Sequence, residues 1–421
     1  MKSVKLGAAG VFLAVWGILL GGCSEGSRQI ETQTSFSAEK QEESAEKDPA
    51  ADDRAPVDGQ IVTETPEKDL EDRIAEYLDG MTIEEKVAQM FFVLPESLTG
   101  TELVTAAGET TRQSFDEIPV GGIVYMARNL ESASQVKEML SNLQTFSRER
   151  IGLPVFTGVD EEGGTVTRIG GRDNFDVPDI GDMRDVGSTG DTDLAYETGT
   201  TLGTYLKDLG FNVDFAPDAD VLSNPDNQVV RYRSFGSDPE LVAAMAAAEL
   251  QGLQEQGVLG CYKHFPGHGA TAGDTHAGYA YTDKTLEELS ACELVPFQRG
   301  IEEGVSMIMA GHISAPSVTG DDTPASLSSV MIDGILRGQM GYDGIVITDA
   351  MNMGAVTQSC SSAEAAVRSI LAGADMILMP QDFYSAYEGV LAAVEDQTIS
   401  EERIDQSVER ILRVKLQMAA D

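Results

Sequence analysis

The chain has 421 residues, and 42% of them are hydrophobic, which is enough apolar material for a large buried core. Its 70 acidic and 29 basic residues give a formal net charge of −41 at pH 7. This charge excludes nucleic acid and anionic membrane surfaces as general binding partners, because both would repel the protein.

The first 22 residues have the organisation of an export signal. Lys2 and Lys5 form a basic start, residues 6–20 are apolar, and Leu-Gly-Gly precedes Cys23. This ending resembles the lipobox of bacterial lipoproteins, in which the signal is cut before a cysteine that becomes lipid-modified. We therefore expect residues 1–22 to be a signal peptide and Cys23 to be a lipid anchor in the cell membrane. The alternative is an uncleaved transmembrane anchor, since the apolar run is only slightly shorter than a span.

The segment that follows has a different composition. Residues 23–68 are rich in Ser, Glu, Gln, Lys, Asp, Thr and Pro, with scattered apolar positions. Such a segment buries too little apolar surface to offset the entropy of ordering, so we predict an acidic, disordered tether. Residues 69–421 are then the folded part, held outside the cytoplasm, and we expect it to be a monomer.

Short apolar segments alternate with helical patterns along the folded part. Thr82 and Glu85 form a capping-box pattern at the first helix start. The eight apolar segments, each predicted to be a buried strand, are 90–94, 122–126, 154–159, 212–216, 257–262, 306–310, 344–348 and 375–379. The predicted helices are 134–150, 193–209, 239–256, 286–303, 329–339, 363–372 and 401–418.

Eight parallel strands separated by helices predict an α/β fold of the (β/α)₈ TIM-barrel type, with a doubly wound open sheet as the alternative. Polar residues follow the ends of several strands, as they do at a barrel active site. They are Asp160 and Glu162, Asp218 and Asp220, Lys263 and His264, His312, and Asp349. So many polar groups at one rim have no packing role, and this favours the barrel.

Three residues of this rim region are suited to proton transfer and nucleophilic attack. Asp349 ends an apolar strand, where a carboxylate either caps the next helix or faces the cleft. Asp274 and His276 lie in a glycine-rich stretch, residues 263–276, that predicts neither helix nor strand. In an extended segment the two side chains face the same way, so the carboxylate would orient the imidazole and support its protonated form.

A metal site is the alternative interpretation of these histidines. His264, His268 and His276 lack the i, i+4 spacing of helical metal ligands, and glycines would leave the ligands poorly preorganised. The three remaining cysteines (Cys261, Cys292 and Cys360) give neither a disulfide framework nor metal-ligand spacing. We therefore expect no metal and no other cofactor.

Four segments together resemble glycoside hydrolase family 3, specifically its β-N-acetylhexosaminidase branch. In chain order they are Gly-Val-Asp-Glu-Glu-Gly-Gly-Thr-Val-Thr-Arg at 158–168, Arg-Ser-Phe-Gly at 233–236 with Asp238, Lys-His-Phe-Pro-Gly-His-Gly at 263–269 followed by Asp274-Thr-His276, and Thr-Asp at 348–349 with Met351 and Met353. The resemblance extends from about Thr82 to the end of the chain.

The resemblance implies a role for each matching residue. It implies Asp349 as nucleophile, His276 as general acid/base and Asp274 as the partner of His276. The residues it implies as sugar-binding groups are Asp160, Arg168, Arg233, Lys263 and His264. Many relatives carry a second acidic residue after the nucleophile, and here Ala350 occupies that position.

These roles predict an enzyme that removes terminal N-acetylglucosamine from peptidoglycan fragments or related glycans with retention of configuration. One carboxylate forms a glycosyl-enzyme, and a second group protonates the leaving oxygen and later activates water. Within the same family, the alternatives are a β-glucosidase, whose relatives usually place the acid/base in an appended domain that we do not expect here, and an N-acetylglucosaminide phosphorylase. A sugar-binding lipoprotein without catalysis is the alternative from another class.

Overall fold

The computed structural model describes residues 69–273 and 280–419. Ten strands lie in these ranges: β1 Phe91–Val93, β2 Gly122–Val124, β3 Phe156–Val159, β4 Val213–Asp214, β5 Leu259–Phe265, β6 Ala280–Tyr281, β7 Met307–Ala310, β8 Ile313–Ser314, β9 Ile345–Thr348 and β10 Ile377–Leu378. Eight of them coincide with the eight predicted apolar segments. The short pair β6 and β8 was not predicted.

Helices fill most of the connections between strands. They are α1 Leu70–Gly80, α2 Ile83–Gln89, α3 Pro95–Thr99, α4 Glu109–Glu117, α5 Ala133–Ile151, α6 Met183–Thr189, α7 Thr192–Leu209, α8 Pro239–Glu255, α9 Leu286–Ser290, α10 Leu294–Glu302, α11 Pro316–Thr319, a π-helix Val330–Gln339, α12 Gly354–Thr357, α13 Ser362–Leu371, α14 Phe383–Glu395 and α15 Glu401–Met418. The predicted capping box at Thr82 and Glu85 is present.

The strands form a nearly closed parallel barrel. Their order around the sheet is β10, β1, β2, β3, β4, β5, β7 and β9. The two terminal strands of this order meet at a bridge between Ile347 and Met376, and the N–H of Thr348 donates to the carbonyl of Met376 at 3.0 Å. The predicted (β/α)₈ architecture is confirmed. Its physical basis is that each strand is too apolar to leave either face exposed.

Aromatic side chains fill the barrel interior. The Phe92 ring lies 5.2 Å from the Phe215 ring and 6.3 Å from the Phe156 ring, centroid to centroid. A Cβ at Gly122 or Gly158 would come within 2.6 or 2.7 Å of the Phe92 ring. Glycines on β2 and β3 therefore make room for one large ring, and the barrel is a packed core instead of a pore.

Two local predictions were wrong, and the predicted helix at 329–339 is present as a π-helix. The predicted helix 286–303 is two helices, α9 and α10, separated at 291–293, where Glu293 is fully buried and its carboxylate pairs with Lys284 and Ser223. Lys263 and His264 lie inside β5 instead of following it, since pairing between Phe265 and Ala310 extends the strand.

None of the helices in residues 69–273 and 280–419 is long and apolar enough to cross a membrane. The predicted signal peptide, the lipidated Cys23 and the acidic tether lie outside the described residues.

Candidate active site

The predicted site residues that the structure describes lie at the carboxyl ends of four barrel strands, β3, β4, β5 and β9, and His312 after β7 adds a fifth. Asp160 and Arg168 follow β3, Lys263 and His264 end β5, and Asp349 follows β9. The remaining groups at this rim are Glu162, Asp218, Asp220, Arg233 and His312. Because all the strands are parallel, these ends meet at one face of the barrel, where catalytic groups of this fold lie.

Glu162 is the electrostatic centre of the rim. Its side chain is 1% exposed, and Arg233 binds it through two nitrogens, Nε at 2.7 Å and Nη2 at 2.8 Å. The Lys263 Nζ lies 2.5 Å from the same carboxylate. Burial opposes ionisation of Glu162, but the two cations outweigh it and lower its pKa to about 2. Glu162 therefore stays charged and fixes the positions of both basic side chains.

Asp160 and Arg168 are the more open part of this network. The Lys263 Nζ is 3.1 Å from one oxygen of Asp160, and the Arg168 Nη2 is 3.4 Å from the other. Their side chains are 23% and 22% exposed, whereas that of Lys263 is 2% exposed. The polar ends of Asp160 and Arg168 are therefore accessible to a ligand, while the buried Lys263 binds Asp160 from the barrel side.

Glu161 shapes the turn that carries Arg168. Its carboxylate accepts hydrogen bonds from the backbone N–H groups of Arg168, Ile169 and Gly170 at 2.6 to 3.0 Å, and from the Tyr205 hydroxyl at 2.8 Å. The side chain is fully buried. Sequence reasoning gave Glu161 no role, since nothing in the run Asp-Glu-Glu shows which acid turns inward.

His264 connects Arg233 to a second acidic group. Its Nδ1 is 2.8 Å from Oδ2 of Asp220, and its Nε2 is 3.3 Å from Nη2 of Arg233. A guanidinium group only donates, so Nε2 accepts and the proton lies on Nδ1, donated to Asp220. His264 therefore holds Arg233 in place, and its predicted contact with sugar stays a prediction. Burial tends to raise the pKa of Asp220, but hydrogen bonds from His264 and the His268 N–H lower it overall.

Asp218, Asp220 and His264 have potential metal-ligand atoms within 4.8 Å of one another. Sequence reasoning considered His264 together with His268 and His276, and did not combine it with Asp218 and Asp220. Both Asp220 oxygens already accept hydrogen bonds, and Oδ2 of Asp218 lies 3.3 Å from Nε of Arg233. Burial, reinforced by the charge of Asp220, raises the pKa of Asp218 well above its usual value. This arrangement fits an internal hydrogen-bond network, and the expectation of no metal stays a prediction.

Asp349 lies directly after β9 and is 8% exposed. Its Oδ1 accepts a hydrogen bond from the N–H of Ala350 at 2.7 Å. Burial works against ionisation, but the nearby His312 imidazole and the Ala350 N–H give a net lowering of the Asp349 pKa. The carboxylate is therefore ionised at neutral pH, which the predicted role as nucleophile requires.

His312 supports the Asp349 segment. It is fully buried, with Nε2 3.0 Å from the carbonyl of Ala350 and Nδ1 2.7 Å from the Ser326 hydroxyl. The carbonyl only accepts, so the His312 Nε2–H donates to it. The position of His312 after a predicted strand was visible in the sequence. Its hydrogen bond to the Ala350 carbonyl was not predictable from the sequence.

Asp274 and His276 lie outside the described residues, so the predicted proton donor and its partner stay predictions. The residues on either side are described. Ala272 and Tyr281 exchange backbone hydrogen bonds of 3.1 and 3.4 Å, and β6 pairs in parallel with β8 after β7. Both attachment points of the segment are thus at the rim, between the loops that follow β5 and β7.

Comparison with known proteins connects this geometry to a family. Residues 82–414 match the N-terminal domain of glycosyl hydrolase family 3. β-Hexosaminidase A of Pseudoalteromonas piscicida is 31% identical over 324 residues, which cover 71% of this chain. The chain spans 54% of that relative's length.

Two solved structures share the fold. The family 3 β-N-acetylglucosaminidase of Paenibacillus sp. FPU-7 is 39% identical with a TM-score of 0.75, over 81% of this chain and 63% of that one. The β-glucoside phosphorylase BglX, bound to 2FGlc, is 26% identical with a TM-score of 0.75, over 84% of this chain and 62% of that one.

Proposed function

This chain belongs to glycosyl hydrolase family 3, and we propose that it is an exo-acting β-N-acetylhexosaminidase. It would remove terminal N-acetylglucosamine from peptidoglycan fragments or related glycans while anchored through Cys23 to the outer face of a cell membrane. The observation that carries the catalytic part is Asp349, buried and ionised, at the rim that also holds Arg233, Lys263 and Asp160. The lipobox-like start of the chain supports the location.

In the first step, Asp349 attacks the anomeric carbon and the bond to the leaving oxygen breaks. His276, oriented by Asp274, gives that oxygen its proton. The product of this step is a glycosyl-enzyme ester, which is the intermediate of a retaining mechanism. Arg168 and Asp160 hydrogen-bond the hydroxyl groups of the terminal sugar, and Lys263 and Arg233 offset the negative charge of the site.

In the second step, water displaces Asp349 from the sugar, and the now neutral His276 takes the proton that water loses. An imidazole with an ordinary pKa of about 6.5 is suited to act as acid and then as base near neutral pH. The configuration at the anomeric carbon is inverted twice and so retained.

Phosphate is the second candidate acceptor, and the structural likeness to a β-glucoside phosphorylase supports it. After donating its proton, a histidine is neutral and does not repel an incoming anion, as a carboxylate would. The charge of Asp274 restores part of that repulsion. Water is therefore the acceptor that we propose, with phosphate as a competitor.

The test uses the purified full-length protein with nitrophenyl N-acetylglucosaminide and nitrophenyl glucoside, each with and without millimolar phosphate. We expect release of N-acetylglucosamine in its β form, and little cleavage of the glucoside. Preferred cleavage of the glucoside would contradict the hexosaminidase proposal. Formation of N-acetylglucosamine 1-phosphate as the main product would identify a phosphorylase, and binding without turnover would identify a sugar-binding protein.

A fluorinated N-acetylglucosaminyl fluoride that reacts quickly and hydrolyses slowly tests the mechanism. Mass spectrometry of the digested protein should show the sugar attached to the peptide that contains Asp349. Attachment to another carboxylate would disprove the assignment of the nucleophile.

A further inference from the structure

A second cleft, of about 760 Å³, shares Arg233 with the site described above. Loops that follow three neighbouring strands, β3, β4 and β5, line it. Its principal lining residues are Thr165, Asn224, Gln228, Tyr232, Arg233 and Gly273. Apart from Arg233, none of these lining residues has a role in the proposed cleavage steps.

The walls of the cleft are tied together by a buried amide. Asn227, 4% exposed, donates from Nδ2 to the carbonyls of His268 at 2.9 Å and Thr271 at 3.3 Å. Its Oδ1 accepts from the N–H groups of Val229 and Val230 at 2.9 and 3.1 Å. The loop after β4 is therefore fixed against the loop after β5, and the cleft is preformed.

Tyr232 gives the cleft an aromatic wall. The residue is 43% exposed, and the Arg231 guanidinium carbon lies 5.3 Å from the ring centroid. Its carbonyl accepts from the N–H of Arg184 at 3.2 Å, so the backbone is held independently of the ring. A half-exposed aromatic ring on a polar wall is suited to pack against the apolar face of a sugar ring.

The lining chemistry indicates an uncharged polar ligand. Amides and hydroxyls predominate, contributed by Asn224, Gln228, Thr165 and Thr271. Asp226 is the acidic residue and Arg233 the basic residue of this lining, and Arg233 is already paired with Glu162. These groups suit sugar hydroxyl and acetamido groups.

We propose that this cleft binds the leaving sugar, the pyranose ring on the far side of the bond that is cleaved, with Tyr232 as its specificity-determining residue. The inference rests on the proposed function. Arg233 lines this cleft and also binds Glu162 in the site described above, so the two sites adjoin. Gly273, at the edge of the cleft, directly precedes the segment that carries Asp274 and His276, and a proton donor must lie beside the leaving group.

The test compares a substrate that has a second sugar ring with a substrate that lacks it. Methyl N-acetylglucosaminide has no ring to reach Tyr232, whereas N,N′-diacetylchitobiose places a second pyranose there. We expect Tyr232→Ala to lower kcat/KM for the disaccharide about tenfold and to leave the value for the methyl glycoside unchanged within about twofold. Tyr232→Phe should retain the wild-type ratio, because the ring is kept.

Tyr384→Ala is the matched control, since Tyr384 is 41% exposed on α14 and is not part of either site. This variant should leave kcat/KM unchanged for both substrates. The subsite proposal would be overturned if Tyr232→Ala lowered kcat/KM equally for both substrates, or for neither. Both outcomes would leave the proposed hydrolase activity intact. A wild-type protein that cleaves neither substrate would instead refute the proposed function.

Discussion

Two clusters of buried charge lie at opposite ends of the barrel and differ in how completely their groups are paired. At the amino ends of the strands, both oxygens of Asp375 are occupied, Oδ2 by Arg337 at 2.5 Å and the Val346 N–H at 2.9 Å, and Oδ1 by the Ser407 hydroxyl at 2.7 Å. Arg410 adds an ion pair at 3.4 Å. This cluster attaches the π-helix and α15 to the barrel.

At the carboxyl ends the pairing is incomplete. Within residues 69–273 and 280–419, Oδ2 of Asp214 and Nε of Arg168 are buried and have no hydrogen-bond partner, and Oδ2 of Asp218 forms no hydrogen bond beside its 3.3 Å ion pair with Arg233. Burial raises the pKa of both Asp214 and Asp218 well above the usual value, with further contributions from neighbouring carboxylates. Buried polar groups are normally paired, so groups that stay unpaired need a separate explanation. The amino end is arranged for stability, and the carboxyl end retains polar groups that favour function at a cost in stability.

The largest expected effect is a loss of activity, without a loss of stability, when a residue at the carboxyl end is replaced. Asp349→Asn should lower kcat by on the order of 10⁴-fold, because it removes the nucleophile and keeps the side-chain volume. The melting temperature should change little. Both quantities can be measured on the purified protein with nitrophenyl N-acetylglucosaminide. A correctly folded variant with normal turnover would rule out Asp349 as nucleophile.

Glu162→Gln should damage activity and stability together. It leaves Arg233 and Lys263 buried without their shared counter-charge, a loss of about 3–5 kcal/mol when one partner of a buried pair is removed. We also expect kcat/KM to fall by on the order of 10²-fold, since both cations lose their fixed positions. Urea unfolding and steady-state kinetics are the two measurements. Unchanged kinetics in a destabilised variant would show that Glu162 has only a structural role.

Asp375→Asn is the matched change at the other end. The free energy of unfolding should fall by about 3 kcal/mol, because Arg337 and Arg410 lose a buried anion. The folded fraction should keep the wild-type kcat/KM at 25 °C. If activity per folded molecule also fell, the division between a stabilising end and a functional end would be incorrect.

The smallest effect concerns Lys415, which lies at the amino end with Nζ 2.8 Å from Oε1 of Gln89 and 4.9 Å from the centroid of the Phe156 ring. Burial lowers its pKa to about 7. The unfolded chain, with an ordinary lysine pKa of about 10.4, binds more protons between these values, so stability should rise with pH from 7 to 9 by about 2 kcal/mol.

Lys415→Met removes this titration while keeping an unbranched side chain. Urea titration at pH 7 and at pH 9 gives the unfolding free energies of the wild type and the variant. The difference between the two proteins should change by about 2 kcal/mol from pH 7 to pH 9. A difference that is constant with pH would show that Lys415 stays charged in the folded protein.

The sequence by itself determined the barrel and the residues at its rim. A buried parallel strand needs an apolar run, and a helix after it needs its own periodicity, so both signals lie within a few consecutive residues. The polar residues after those runs, including Asp160, Lys263 and Asp349, then had to meet at one end, because parallel strands share a direction.

Only the tertiary structure decided which of these groups pair. Glu161 and Glu162 are adjacent and chemically alike, yet one fixes the turn that carries Arg168 and the other binds Arg233 and Lys263. The partners of Glu162 depend on directions and distances between segments 71 and 101 residues apart in the sequence. The Asp375 cluster has the same cause, since its partners come from the π-helix and α15. Local patterns specify where a chain is apolar, whereas the partner of a buried charge is set by the packing of distant segments.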